Sequence, residues 1–312
     1  RASILEDKCV SCGMCMVSCP FGAISDKSQI FQLSHALRDG DKIIAIVAPA
    51  YISQFGDDVT PGKFKTALQV LGFSDVHEVA FGADVGAISE AHHYAKEVAT
   101  GNLPFLLTSC CPSWSMMAKK FFPTMIDNIS QELTPMVATA RKVKQEQPDA
   151  KVVFIGPCAS KKLEAMRRTV RSDVDFVLTF EELDAMFDAR EIDPASFEED
   201  GSLHDATAAG RGYAVAGGVA GAIEACLKEY YPDVPVHIEH AESLAECKKV
   251  LALAKAGKLN GCMIEGMACP GGCMGGAGTN VPVAKSSKEL KKFLASCSKK
   301  LPPKGLVDIE LN

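Results

Sequence analysis

The chain of 312 residues is 47% hydrophobic and 23% charged, ordinary globular usage that excludes a disordered chain and, at roughly 150 residues per domain, predicts about two compact units. Its 33 Lys and Arg against 39 Asp and Glu leave a net charge of −6, and with no basic run this excludes a nucleic-acid surface. The longest apolar stretch, Ile43 to Ala50, falls far short of the roughly 20 residues of a membrane span. No secretion signal is visible, and Arg1 in place of Met points to a processed or trimmed start. Thirteen cysteines, an odd number in clusters, are too sparse for a disulfide-stapled small domain. Metal–thiolate chemistry in a reducing, cytoplasmic setting is the expectation.

In chain order, residues 1–28 form a small unit dominated by four cysteines. From Phe31 onward short apolar runs alternate with amphipathic stretches. Buried strands are predicted at Lys42–Pro49, Val76–Phe81, Pro104–Thr108, Val152–Gly156, Phe176–Thr179, Val234–Ile238 and Gly261–Glu265. Helical patterns fall between them at Lys63–Leu71, Ala83–Val98, Ser115–Phe121, Pro135–Gln145, Glu181–Phe187, Val219–Tyr230, Ser243–Ala256 and Lys288–Cys297. Such alternation implies an α/β fold with mostly parallel sheets covered on both faces. Three strands followed by four, parted near Gln145–Ala150, suggest two lobes at about 29–147 and 148–312. Open α/β sheets bind ligands at the carboxyl ends of their strands. Cys110, Cys111, Cys158 and Cys269 all fall just beyond such ends.

Cys9, Cys12, Cys15 and Cys19, followed by Pro20, read C-x2-C-x2-C-x3-C-P. This spacing lets three thiolates of one loop face one cubane while the fourth points to a neighbouring cluster, as in bacterial ferredoxins. A [4Fe–4S] electron inlet is predicted, with a complementary run expected before Arg1. A zinc loop is the alternative, although zinc sites usually pair two C-x2-C knuckles or recruit His.

A second constellation is spread over three loops: Thr108-Ser109-Cys110-Cys111-Pro112-Ser113-Trp114, then Gly156-Pro157-Cys158 to Glu164, then Glu265 to Gly276 with Met267, Cys269 and Cys273. Four thiolates could hold a second cubane if the loops meet. The Gly pairs would let backbone approach a bulky inorganic group. Lys161 places an ammonium where it could hydrogen-bond an anionic ligand.

These three stretches resemble the three signature motifs of the [FeFe]-hydrogenases, in order and at similar separations, and the resemblance runs to about Val281. It implies an H-cluster, a [4Fe–4S] cubane joined through a cysteine sulfur to a diiron subsite with CO, CN⁻ and azadithiolate ligands, and at least one further [4Fe–4S] cluster. By motif position, Cys111, Cys158, Cys269 and Cys273 would hold the cubane, with Cys273 bridging to the diiron unit. Cys110 matches the proton-relaying cysteine, Lys161 a cyanide-binding residue, and Ala48-Pro49 the strand end near that ligand. Met267 matches a residue packed over the cluster, and Ser109 and Gly156 stand in the same cofactor loops. Along the family's proton route, Glu90 falls on the inner glutamate and Ser130 on the serine. His93 stands where the outer glutamate is expected and Glu97 where an arginine is expected. A His could carry protons near neutral pH; the competing reading of His92 and His93 is a solvated helix face.

The sequence departs from the family near the diiron site. Gly156 replaces the usual Met of the second motif, Met136 a Gln, and Ala50 a cyanide-binding Ser. Lost outer contacts tune metal potential and reactivity, which predicts slow turnover and resembles the sensory branch of the family. Cys226, Cys247, Cys262 and Cys297 read as small core hydrophobes, with a minor alternative of a second proton route through Cys262 and Glu265. Met116-Met117 and Phe121-Phe122 read as core, and His237 and His240 as structural residues flanking a strand.

The implied function is reversible conversion of H2 into protons and electrons, with a ferredoxin-like electron carrier or a signalling partner and a maturation machinery. A hydrogen sensor and an iron–sulfur assembly factor lacking the diiron subsite are the rival readings. Retention of the Cys110-Cys111 pair argues against the last.

Overall fold

The computed structural model describes residues 3–199, 203 and 206–311. Seven strands are β1 Ile43–Val47, β2 Asp75–Glu78, β3 Leu106–Leu107, β4 Lys151–Ile155, β5 Phe176–Leu178, β6 His237–Glu242 and β7 Cys262–Met267. The helices are α1 Met14–Val17, α2 Ile30–Arg38, α3 Pro61–Leu71, α4 Ala80–His93, α5 Pro112–Phe121, α6 Pro135–Glu146, α7 Ala159–Ala165, α8 Phe180–Ala189, α9 Ala208–Gly212, α10 Gly218–Tyr230, α11 Ser243–Lys255 and α12 Val283–Ser296.

The predicted α/β fold with parallel sheets stands, but the strands are not grouped as their sequence order suggested. One sheet has the order β2-β1-β4-β5 and the other β3-β7-β6, with every pairing parallel. The chain leaves the first sheet after β2, lays down β3, returns for β4 and β5, and then completes the second sheet. A cut near residue 147 therefore does not separate the sheets. Short buried parallel strands carry no mark of their partner, so sequence order was a poor guide to neighbourhood.

All five residues of β1 are fully buried, as a central strand covered on both faces requires. A cluster of Tyr51, Phe55, Phe64, Phe180 and Phe187 packs beside this sheet, the Tyr51 and Phe64 rings stacked at 5.0 Å. Helix α4 is buried almost all round, and it continues into a π-helical turn at Tyr94–Val98. On the second sheet, Trp114 is wholly buried and donates from Nε1 to the Thr108 carbonyl at 3.0 Å. Its ring lies where a Cβ on Gly266 would stand, so β7 needs glycine there for the ring to reach the sheet.

Helix starts follow local chemistry. Thr60 caps α3 ahead of Pro61, and Thr179 with Glu182 forms a full capping box on α8. Cys226, Cys247 and Cys297 are buried and Cys262 half-buried. Cys297 is more than a hydrophobe, since its sulfur accepts from Arg211 Nη1 at 3.1 Å. Met117 and Phe122 are core as expected, whereas Phe121 is 44% exposed. His237 and His240 lie within β6 itself, on its exposed side chains.

Candidate functional site

The three cysteine loops end strands of both sheets and meet at one cavity. Strand β3 runs through Cys110 and Cys111 into α5, β4 runs through Cys158 into α7, and β7 leads to Cys269 and Cys273. Cys111 and Cys158 are the residues at the N-cap positions of α5 and α7. The cavity is lined by Cys110, Cys111, Cys158, Cys269 and Cys273, by Lys161, and by an apolar wall that includes Ala48, Pro49, Met136, Phe154 and Met267. Each of these cysteines is half-buried, its exposed surface being cavity wall. Ala50 and Cys12 also line it, so one thiol of the N-terminal run reaches the same chamber.

Burial pushes the thiols of Cys111, Cys269 and Cys273 upward, and Cys158 is the foremost charged neighbour of all three. Four such thiols would not all ionise together in the protein alone. A cationic centre among them reverses that penalty, because coordinated thiols lose their protons. Among the described residues no trio of Cys, His, Asp or Glu closes on a single point as a mononuclear ion requires. Four thiols spaced round a chamber fit a polynuclear cluster.

Burial draws the Lys161 ammonium down, but Glu164, whose Oε2 accepts from Lys161 Nζ at 2.6 Å, more than offsets this and leaves it raised. Lys161 also donates to the Cys110 carbonyl at 3.3 Å. A fixed cation therefore stands in the wall of the chamber. Cys158 Sγ and Ser160 Oγ are 3.1 Å apart.

Burial and then the nearby Glu90 push the Cys110 thiol well up. Glu90 is itself buried in α4, and desolvation raises it to about 8 even though it accepts from the Ser130 hydroxyl and the Ser109 backbone N–H. Ser109 thus turns away from the chamber, and its hydroxyl donates to the Glu132 carbonyl at 3.2 Å. His93, one turn beyond Glu90, is half-buried and makes no hydrogen bond or ion pair among the described residues. His92 is exposed and lies 2.9 Å from the Tyr231 hydroxyl, a packed position rather than a purely solvated one. Glu97 accepts from Asn102 at 3.2 Å and lies outside the chamber.

Gly272 and Gly276 of the last motif line the chamber, as expected of glycines that bring backbone close to a bound group. They also let the motif loops pack on one another: a Cβ on Gly272 would meet the backbone of Val215–Ala216, one on Gly275 the Pro270 carbonyl, and one on Gly276 the Pro157 carbonyl. One expectation changes. Cys262 and Glu265, an odd number of residues apart on one strand, face opposite sides of the sheet. Cys262 neighbours Glu239, whereas Glu265 anchors the start of α10 by accepting from Gly217 and Ala220. Three residues were missed in the sequence. Tyr213 and Phe154 line the chamber, and Glu132 is a charged neighbour of Glu90. No motif marks any of them.

The model of the family described as iron only hydrogenase large subunit, C-terminal domain, matches residues 41–277, and the 4Fe-4S binding domain matches residues 2–25. The chain belongs to the iron-only hydrogenase family. It is 30% identical to the NADP-reducing hydrogenase subunit HndD of Solidesulfovibrio fructosivorans, over 88% of this chain and 56% of that one. It is also 30% identical to the periplasmic [Fe] hydrogenase large subunit of Nitratidesulfovibrio vulgaris, over 88% of this chain and 85% of that one. The chain spans about half the length of the first curated hydrogenases it matches. A shorter match, 33% identical over 38% of this chain and 25% of the other, is to the cytosolic Fe-S cluster assembly factor NAR1 of Kluyveromyces lactis. The fold is that of the [FeFe]-hydrogenase HydA1 from Chlamydomonas reinhardtii, with a TM-score of 0.70 at 21% identity over 88% of this chain and 91% of that one. As an iron-only hydrogenase family member the chain is an iron–sulfur protein. No helix among the described residues is long and apolar enough to cross a membrane.

Proposed function

We propose that this protein interconverts H2 with two protons and two electrons at an H-cluster held by Cys111, Cys158, Cys269 and Cys273. The observation that carries the reading is the convergence of these four thiols, from three loops of two sheets, on a single apolar chamber walled by Cys110 and Lys161. When bound, the cluster supplies the making and breaking of the H–H bond, and the protein supplies everything around it.

Cys110 keeps its proton at neutral pH and stands ready to exchange it with the bound group. Glu90, protonated below about pH 8, hands the proton on, and Ser130 links it outward toward Glu132. His93 has no bonded place in this chain of groups. Electrons enter through a [4Fe–4S] centre at Cys9, Cys12, Cys15 and Cys19, of which Cys12 is a charged neighbour of Cys269. A small electron carrier such as a ferredoxin fits the exposed Cys15 end of that loop. The diiron subsite arrives from a maturation machinery, in a reducing compartment that we take to be the cytoplasm. Met136 and Ala50 offer the chamber no polar side-chain group, and Gly156 lies behind Phe154 and Ala48, which favours slow turnover. A sensing role draws on those departures alone, since none of the relatives named above is a sensor.

The match to NAR1 favours a second reading, an iron–sulfur assembly factor that holds cubanes only. An infrared spectrum of protein loaded with the diiron subsite separates the two. CO and CN⁻ bands that shift between argon and H2 are the expected result. A loaded sample with its cubanes present but no such bands overturns the hydrogenase reading in favour of the assembly factor.

A further inference from the structure

The chamber wall is made largely of carbon and sulfur, interrupted by the Lys161 ammonium and by the hydroxyls of Ser113, Ser160 and Tyr213. Tyr213 is 6% exposed and lines the chamber, and its Oη has no hydrogen-bond partner among the described residues. Burying a hydroxyl without a partner costs about 1–3 kcal/mol, so its position calls for a reason. The hydroxyl lies against the bare backbone of α4, where a Cβ on Gly86 would stand 3.8 Å from it. Gly86 is one turn before Glu90, and Glu90 and Cys110 are the foremost charged neighbours of the hydroxyl. Both neighbours and burial hold the phenol in its protonated form, which makes it a donor.

The backbone on either side of Tyr213 is fixed. Asp84 accepts from the Thr207 N–H at 2.7 Å and the Gly210 N–H at 2.9 Å, which anchors the start of α9. Arg211 forms a two-pronged pair with Glu78 at 2.8 and 2.7 Å. The next residue, Ala214, accepts from the Met274 N–H at 3.1 Å, tying this turn to the loop of Cys273. The turn that carries the ring is thus held at three points, and the ring itself is buried.

We propose that Tyr213 is a ligand-binding residue whose Oη donates a hydrogen bond to an electron-pair-bearing ligand of the group held in the chamber, on the wall shared with Cys110. The inference rests on the H-cluster reading and adds to it a donor that no motif assigns. In a wall where Ala50 and Met136 supply no polar side chain, this hydroxyl is the replacement contact. A donor aimed at a bound ligand withdraws electron density from it and shifts the vibrations of the metal-bound diatomics.

The test compares wild type with Tyr213→Phe, both loaded with the synthetic diiron complex and recorded by infrared under argon. One or more CO or CN⁻ bands are expected to move by several wavenumbers in Tyr213→Phe. Wild-type bands are also expected to respond to D2O, and those of the variant to lose that response. Band positions unchanged by the substitution overturn the proposal. Absence of bands from both proteins overturns the H-cluster reading and this inference with it. A second measurement needs no diiron loading: the thermal midpoint of Tyr213→Phe is expected to equal or exceed that of wild type, because no protein hydrogen bond is lost. A fall of several degrees would show that the hydroxyl serves a partner within the protein, and would overturn the inference as well.

Discussion

The four N-terminal thiols come from one loop at the surface, whereas Cys111, Cys158, Cys269 and Cys273 are drawn from three loops around an enclosed chamber. Backbone N–H groups, Ala23 foremost, lower the thiol of half-buried Cys19, while burial raises those of Cys111, Cys269 and Cys273. Cys19 is thus eased toward thiolate by its own loop, whereas Cys111, Cys269 and Cys273 depend on the cluster itself to become thiolate. A site made by local spacing can be assembled from a few residues, but a site made by the fold exists only when both sheets do.

Substitution of one thiol in each set sharpens this contrast most. Cys111→Ala is expected to abolish the chamber cluster and all diiron loading, whereas Cys15→Ser removes only the N-terminal centre; iron counting and electron paramagnetic resonance read both. Loss of both centres from Cys15→Ser would break the independence of the two sets. Next in size, Glu90→Gln is expected to cut turnover by roughly 10²–10⁴-fold, the usual contribution of a positioned proton donor. The same group also leaves a mark on stability. Its folded pKa of about 8 lies above the ordinary 4.5, so the folded state holds a proton that the unfolded state has lost, and stability falls as pH rises from about 4.5 to about 8. Glu90→Gln should therefore gain on wild type by up to roughly 4 kcal/mol between pH 5 and pH 9 in denaturant unfolding. An unchanged difference across that range would mean that Glu90 ionises normally.

Gly156→Met is expected to destabilise by about 1–3 kcal/mol. A Cβ there would lie 2.6 Å from the Phe154 ring and 2.9 Å from Ala48, and Phe154→Leu in the same chain should recover most of the loss in a thermal melt. The smallest effect is expected at Lys120, whose ammonium donates to the carbonyls of Glu6 and Cys9 at 2.6 and 2.8 Å. Lys120→Met should lower the reduction potential of the N-terminal cluster slightly and leave the chamber untouched.

The motifs that make the two thiol sets were legible in the sequence because each is short and its chemistry is local. The neighbours of β4 were not, since Val152–Ile155 reads the same whichever buried strand lies beside it. Strand β6 starts three residues later and ends four residues later than predicted because Glu239, His240 and Glu242 look like a loop; pairing with all six residues of β7 holds them extended at an edge. Phe154 was read only as strand, yet its ring occupies the space that a side chain at position 156 would need. Tyr213 carries no signal at all, because its meaning lies in an absent partner and a chamber built by distant residues.

The crossing of the chain between its sheets also sets an order in time. Cys19 leaves the ribosome roughly 250 residues before Cys273, which at 5–20 residues per second is about 10 to 50 s. The N-terminal loop can take up iron during that interval, while β1 still awaits β4 and β3 still awaits β7. The chamber closes only after the last motif has been made, so its metal must be delivered to a finished chain.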